Sequence, residues 1–190
     1  MAASETDPRH RPPAPEQGEC LSATALTERI EEEISRAGRH DTPLSCLLLV
    51  VENLEELVRE HGRDLPERMF PYMAAALRRE LRCFDRIGRP SSRELLLLLP
   101  GADGPRGEIV ARRVLGRLRA IKVEARGTRQ PLRVAMGLAA WRTDIGAQEL
   151  LSQSRAAARG ARGEDAGADL ATATPLQSLS PPALGRPRPS

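Results

Sequence analysis

Aromatic residues make up 2% of this 190-residue chain, and a single lysine, Lys122, stands among its cations. So little aromatic surface excludes the stacking platforms on which single-stranded nucleic acids lie, and it leaves a core to be built from Leu, Val, Ile and Ala. Cysteine is sparse too. The spacing of Cys20, Cys46 and Cys83 fits no zinc pattern, and an odd count argues against a disulfide framework. Cys46 and Cys83 have apolar sequence neighbours and are expected to be buried thiols. No signal peptide is visible, and an apolar run such as Leu95–Leu99 is far too short to span a bilayer. No membrane partner is therefore expected, and a cytoplasmic location is the default.

What is present is arginine. The formal charge is +3 and the pI about 9.1, with nearly every cation a guanidinium, the side chain best suited to bidentate phosphate contacts. The ordinary reading of most of them is compositional, since GC-rich coding favours Arg, Ala, Pro and Gly together. Nucleic-acid binding is not expected: the charge is mild and no recognition helix stands out. The hydrophobic content of 40% supports one domain flanked by tails. Residues 1–20 are polar, Pro-rich and without periodicity, as are residues 164–190, so both are expected to be disordered, with the ordered domain at 21–163. The Pro-rich end could dock on a partner, but a solvated tail is the plainer reading.

Within the domain, Leu21–Thr24 opens a helix running to about Arg39, with Leu26, Ile30 and Ile34 on one stripe. Residues 44–51 form an apolar run that reads as a strand buried on both faces. A helix follows from Leu54 to His61, ended by Gly62, and another spans about 65–82, with Pro66 in its first turn and Pro71 predicting a kink or a later start. Strands at about 84–88 and 94–99 flank residues 89–93. Then come a helix at about 104–120, strands near 121–125 and 132–140 split by a turn at Gly127, and a last helix over about 147–162. Phe84 is expected in the core and Trp141 as an anchoring strand residue. Hairpins mixed with helical crossovers predict an α+β fold with a largely antiparallel sheet flanked by helices.

That order resembles the GGDEF domain of diguanylate cyclases, a fold related to nucleotide cyclases and polymerase palms. Several landmarks fall in register. Val50-Val51-Glu52-Asn53-Leu54 stands where the family has Asp-x-Asp-x-Phe. Asp85 and Arg89 match its Asp-x-x-x-Arg, Leu95 to Pro100 its strand after the signature, and Ala135 to Ala139 its Ser-x-Gly-x-Ala strand. Ser154 to Arg162 match its final helix. The signature itself is replaced by Ser91-Ser92-Arg93-Glu94-Leu95.

The resemblance implies a two-magnesium site that makes cyclic di-GMP from two GTP, and magnesium takes hard oxygen ligands, chiefly carboxylates. The two metal positions hold Val50, which has no lone pair, and Arg93, which is a cation. Ser91 and Ser92 stand where glycines would admit phosphate. The guanine-reading Asn is matched by Val58 and its acidic companion by Glu67, while Arg162 replaces a phosphate-contacting Lys. Glu52 and Glu94 survive as carboxylates, either as a displaced metal pair or, more plainly, as solvated or salt-bridged glutamates. No metal or cofactor is expected, and the chain is expected not to be an enzyme.

Many family members also carry a product site, Arg-x-x-Asp, five residues before the signature. Arg82-Cys83-Phe84-Asp85 has that spacing from Ser91. The motif alone is weak, since Arg162-Gly163-Glu164-Asp165 repeats it where the resemblance implies nothing. The family adds an Arg from the helix after the signature, and Arg113 falls there. Arginine forks bind phosphates and stack on guanine, and Asp85 can accept from guanine N1 and N2. The competing reading is a local ion pair at Arg82 and Asp85 with a solvated Arg113. The expected function is a catalytically inactive receptor for cyclic di-GMP that reports to a protein partner, with ligand-induced homodimerisation open. The alternative is a protein-interaction module that binds no nucleotide, and residual cyclase activity is a third reading.

Overall fold

The computed structural model describes residues 20–125, 128–161 and 169–172. Its elements are α1 (Ala23–His40), β1 (Leu44–Val51), α2 (Leu54–His61), α3 (Leu65–Arg78), β2 (Arg86–Ser91), β3 (Glu94–Pro100), α4 (Gly104–Arg119), β4 (Lys122–Ala125), β5 (Thr128–Pro131), β6 (Val134–Ala140), α5 (Ala147–Gly160) and β7 (Asp169–Thr172). The expected α+β class holds. Five strands form one sheet in the order β2-β3-β1-β6-β7, and β4 and β5 form a separate hairpin.

β1 occupies the centre because both its edges and both its faces are taken. It pairs antiparallel with β3 through Leu44–Pro100 to Val50–Glu94, and with β6 through Ser45–Ala140 to Val51–Val134. Alternate residues then feed two cores. Leu47, Leu49, Val51, Leu95, Leu97 and Leu99 meet α2, α3 and α4 on one face; Cys46, Leu48, Leu96 and Leu98 meet α1 and α5 on the other. A strand buried this way is apolar at nearly every position, which is why its sequence shows no alternation; its one polar residue, Ser45, is satisfied by donating to the Ala102 carbonyl at 2.9 Å.

The helices follow their local signals. Ser22 caps α1, its Oγ accepting from the Ala25 amide at 3.3 Å. The buried stripe of α1 is Leu26, Ile30, Glu33 and Ala37, with Ile34 only half-buried. Glu33 tolerates burial because Arg29 reaches it at 2.8 Å, with Arg36 at 3.7 Å. α2 ends at Gly62, whose φ of 96° favours glycine. Pro71 lies inside α3 rather than starting it, and α3 ends at Arg78, four residues before the expected limit. The strand expected at 132–140 begins at Val134, the residues before it contributing β5 to the hairpin. Trp141 follows β6, tied by its amide to the Leu44 carbonyl at 2.8 Å and by Nε1 to Ile145 O at 2.9 Å.

One strand contradicts the expected C-terminal tail: Asp169–Thr172 pairs parallel to β6 through Ala135–Asp169 to Leu138–Thr172. The rest of that tail, the N-terminal tail up to residue 19, Gly127 and Arg162 lie outside the described residues. At the opposite edge, β2 is protected. Leu21 bridges Gly88, a bulge falls between Gly88 and Ser91, and Pro90 within it offers no amide.

Close approach of backbones fixes α5. A Cβ on Gly137 of β6 would stand 2.1 Å from the Ser154 carbonyl and 2.3 Å from the Ala158 amide. Backbone atoms cannot rotate away, so Gly137→Ala is expected to cost about 3 kcal/mol or more, the upper end of over-packing. Gly116 on α4 has nothing within 4 Å of such a Cβ, so Gly116→Ala should gain about 1 kcal/mol through helix propensity. Urea midpoints of the two variants moving in the same direction would contradict this packing.

Candidate functional site

The β2–β3 hairpin closes through a two-residue turn, Ser92-Arg93. The Arg93 carbonyl accepts from the Val51 amide at 2.9 Å, holding the turn against the end of β1. Val50 sits directly across from Glu94. Glu94 is buried, and Arg155 from α5 grips both its oxygens, at 3.0 and 2.8 Å.

The same pairing recurs around the turn. Arg93 reaches Glu55 of α2 at 3.4 Å, and Arg133 reaches Glu56 at 2.8 Å. Arg89 lies 4.3 Å over the Phe70 ring, donates to the Ser92 carbonyl at 3.2 Å and meets Glu67 at 3.4 Å. Val58 packs against the core. Among the described residues, no three His, Cys, Asp or Glu side chains gather as a metal-binding group. Ser91, Ser92, Arg93, Glu94 and Leu95 are thus together in space, but their charges are met by this chain's own residues. Asn53 carries a role that sequence reasoning missed. Its amide donates to the Pro131 carbonyl at 3.1 Å and accepts from the Arg133 amide at 3.0 Å, clamping the β5–β6 connection to the top of α2. Nothing local in the sequence signals a partner eighty residues away.

The upstream edge of the hairpin is built differently. Residues 82–85 form a turn between α3 and β2, the Asp85 amide donating to the Arg82 carbonyl at 3.2 Å. The Asp85 carboxylate folds back and accepts from the Arg82 amide at 2.8 Å. Arg86 Nη1 donates to the Cys83 carbonyl at 2.9 Å and to the Asp85 carbonyl at 3.1 Å. Asp85 is buried, and burial pushes its carboxyl above the ordinary value of 3.8 against the Arg82 amide bond and the charges of Arg82, Arg113 and Arg86. Arg113 on α4, twenty-eight residues beyond Asp85 in the sequence, therefore lies within electrostatic reach of it, as the expected cluster requires. Among the described residues, the Arg82 and Arg113 guanidinium groups have no carboxylate within ion-pair distance. The local ion-pair reading of Arg82 and Asp85 gives way to a bond from the Arg82 backbone, which leaves the guanidinium exposed.

Two expectations fail in this turn. Cys83 and Phe84 are exposed rather than buried, because α3 stops at Arg78 and both residues fall in the loop.

With this geometry in place, comparison with known proteins is decisive for the family. The description "Diguanylate cyclase, GGDEF domain" matches residues 21–166. The chain belongs to the GGDEF family. It is 31% identical over 96 residues to the diguanylate cyclase DgcP of Pseudomonas aeruginosa, an alignment covering 50% of this chain and 14% of that protein. The structure is similar to the diguanylate cyclase SiaD of Pseudomonas aeruginosa, solved with its activator SiaC, at 26% identity and a TM-score of 0.72, over 79% of this chain and 58% of that one. It shares its fold with the GGDEF domain of DgcB from Caulobacter crescentus, solved with cyclic di-GMP. That likeness has 12% identity and a TM-score of 0.72, over 80% of this chain and 91% of that one.

The cysteines test this placement of the GGDEF hairpin. Cys83 is exposed, Cys20 is half-buried with its thiol raised by burial, and Cys46 is fully buried with its thiol pushed up to about 12. Alkylation of the native protein followed by mass spectrometry should modify Cys83 first, Cys20 more slowly and Cys46 only on unfolding. Native labelling of Cys46 as fast as Cys83 would place the hairpin wrongly.

Proposed function

We propose that this GGDEF domain is a receptor for cyclic di-GMP that has lost cyclase activity. The observation that carries the reading is the cluster at the turn 82–85: a buried carboxylate, the guanidinium groups of Arg82 and of Arg113 from α4, which have no ion-pair partner among the described residues, and a third, Arg86, that stitches the turn. Ionised Asp85 suits the guanine N1 and N2 donors, and Arg82 and Arg113 suit phosphate and the guanine face.

Loss of catalysis is supported by the donor set at the turn between β2 and β3. Magnesium requires hard oxygen ligands, and the family's metal positions here hold Val50 and Arg93, while both oxygens of Glu94 face Arg155. These residues do not fit the two-metal site. Glu52 stands apart from any set of three ligands among the described residues.

A second reading, an interaction module that binds no nucleotide, draws on the SiaD–SiaC complex and on the exposed Tyr72 and Ile109. It predicts that a protein partner is retained after Arg82→Ala and Arg113→Ala. The receptor reading leaves room for a homodimer bridged by ligand.

Calorimetry separates these. Wild type should bind cyclic di-GMP, and Arg82→Ala or Arg113→Ala should weaken binding at least about tenfold, the worth of a charge-assisted contact. No heat from wild type at micromolar protein would sink the receptor reading. Turnover of GTP to cyclic di-GMP with magnesium or manganese, above that of Glu94→Ala, would refute inactivity.

The pH dependence has a definite sign. Asp85 accepts from guanine only when ionised, so affinity should fall as pH drops through its raised pKa, above 3.8. Without ligand the same group acts oppositely. Its folded pKa exceeds the unfolded one, so its stability contribution is fully present below the unfolded value and is lost as pH rises through the folded value. Asp85→Asn should flatten both trends, measured by titration calorimetry and by urea midpoints across the acid range.

A further inference from the structure

Phe84 is a costly residue to leave in water, and the fold does nothing visible to hide it. It is 43% exposed, one of three large apolar side chains so placed among the described residues. It is also held outward. The carbonyls on either side of it, those of Cys83 and Asp85, both accept from Arg86 Nη1, at 2.9 and 3.1 Å. With both flanking carbonyls bonded and the Asp85 amide donating to Arg82 O, the backbone that carries the ring is fixed in this turn.

The ring faces a loose partner. The Arg82 guanidinium carbon lies 5.8 Å from the Phe84 centroid, whereas the packed Arg89–Phe70 stack closes to 4.3 Å. A planar base between ring and guanidinium needs two stacking intervals of about 3.4 Å, roughly 6.8 Å in all. The observed distance falls short of this by about 1 Å, and Arg82 is exposed, so its side chain has solvent to swing into.

The geometry points to Phe84 as a base-stacking residue that, with Arg82, takes a purine of the bound nucleotide between ring and guanidinium, with Arg86 as the positioning residue that presents it. The inference rests on the receptor reading and adds a specificity contact to it. The Arg-x-x-Asp pattern does not specify the residue at the Phe84 position, so this contact is additional to it. It also reverses the expectation of a core Phe84: the residue serves the ligand and not the fold.

The test uses the full chain, cyclic di-GMP as probe, and the variants Phe84→Leu, Phe84→Tyr and Arg86→Gln. Phe84→Leu keeps an apolar side chain and removes the π face, so affinity should drop about five- to tenfold, within the range measured for base–aromatic stacking. Phe84→Tyr should restore wild-type affinity. The urea midpoint of Phe84→Leu should stay at the wild-type value, because an exposed side chain contributes little packing; a marked fall would make Phe84 a core residue and overturn the inference. Arg86→Gln removes a charge facing Asp85 alongside Arg82 and Arg113, so it should weaken binding and also raise the pH at which affinity is lost. If wild type binds and Phe84→Leu binds equally well, the stacking role is wrong while the receptor stands. If wild type does not bind, both fall.

Discussion

The double burial of β1 is the constraint on which the rest depends. Eight consecutive residues lie between two antiparallel neighbours and two layers of helices. Because side chains alternate strictly along a strand, a slip of one residue would exchange the two cores entirely. The register that avoids this slip also places Val50 opposite Glu94 and the Arg93 carbonyl on the Val51 amide. The geometry of the hairpin tip is therefore a by-product of core packing. The tip residues Ser91, Ser92 and Arg93 are thus carried in place by the strands that flank them.

The two ends of the hairpin treat charge in opposite ways. Around the tip, guanidinium groups are matched by carboxylates across elements: Arg155 with Glu94, Arg93 with Glu55, Arg89 with Glu67, Arg133 with Glu56. The exposed pairs contribute little to stability individually, but each of these guanidinium groups has a carboxylate partner within this chain. At the upstream edge one buried carboxylate faces three guanidinium groups, and the surplus positive charge is turned to solvent. An anion with hydrogen-bond donors of its own is the natural complement of that edge.

Much of this was readable from sequence because it rests on local signals. The helix start at Leu21–Thr24, the stop at Gly62 and the largely apolar run of β1 emerge from spacing and side-chain chemistry, and the placement of Arg113 follows from the resemblance. What failed depends on where helices stop and on distant partners. Cys83 and Phe84 were read as core because their neighbours in sequence are apolar, yet α3 ends at Arg78 and leaves them in a turn. β7 is four residues long and pairs parallel to β6; its existence depends on an edge formed elsewhere, and a Pro-rich composition around it masks what signal there is. Asn53 shows the same limit, since its hydrogen bonds go to residues 131 and 133.

The abundance of arginine, most of it compositional, bears on how the two ends respond to conditions. A guanidinium stays protonated across the whole physiological range, so pairs such as Arg155–Glu94 persist wherever the glutamate is ionised. The upstream edge differs because its one carboxylate is buried, and burial raises its pKa above the ordinary value. Protonating Asp85 removes the acceptor for a guanine edge but leaves Arg82, Arg86 and Arg113 charged. In the proposed receptor, phosphate attraction would therefore survive acidification while base recognition would not. On that reading the site would lose specificity before it lost all affinity, an ordering that follows from pairing one titrating acid with non-titrating bases.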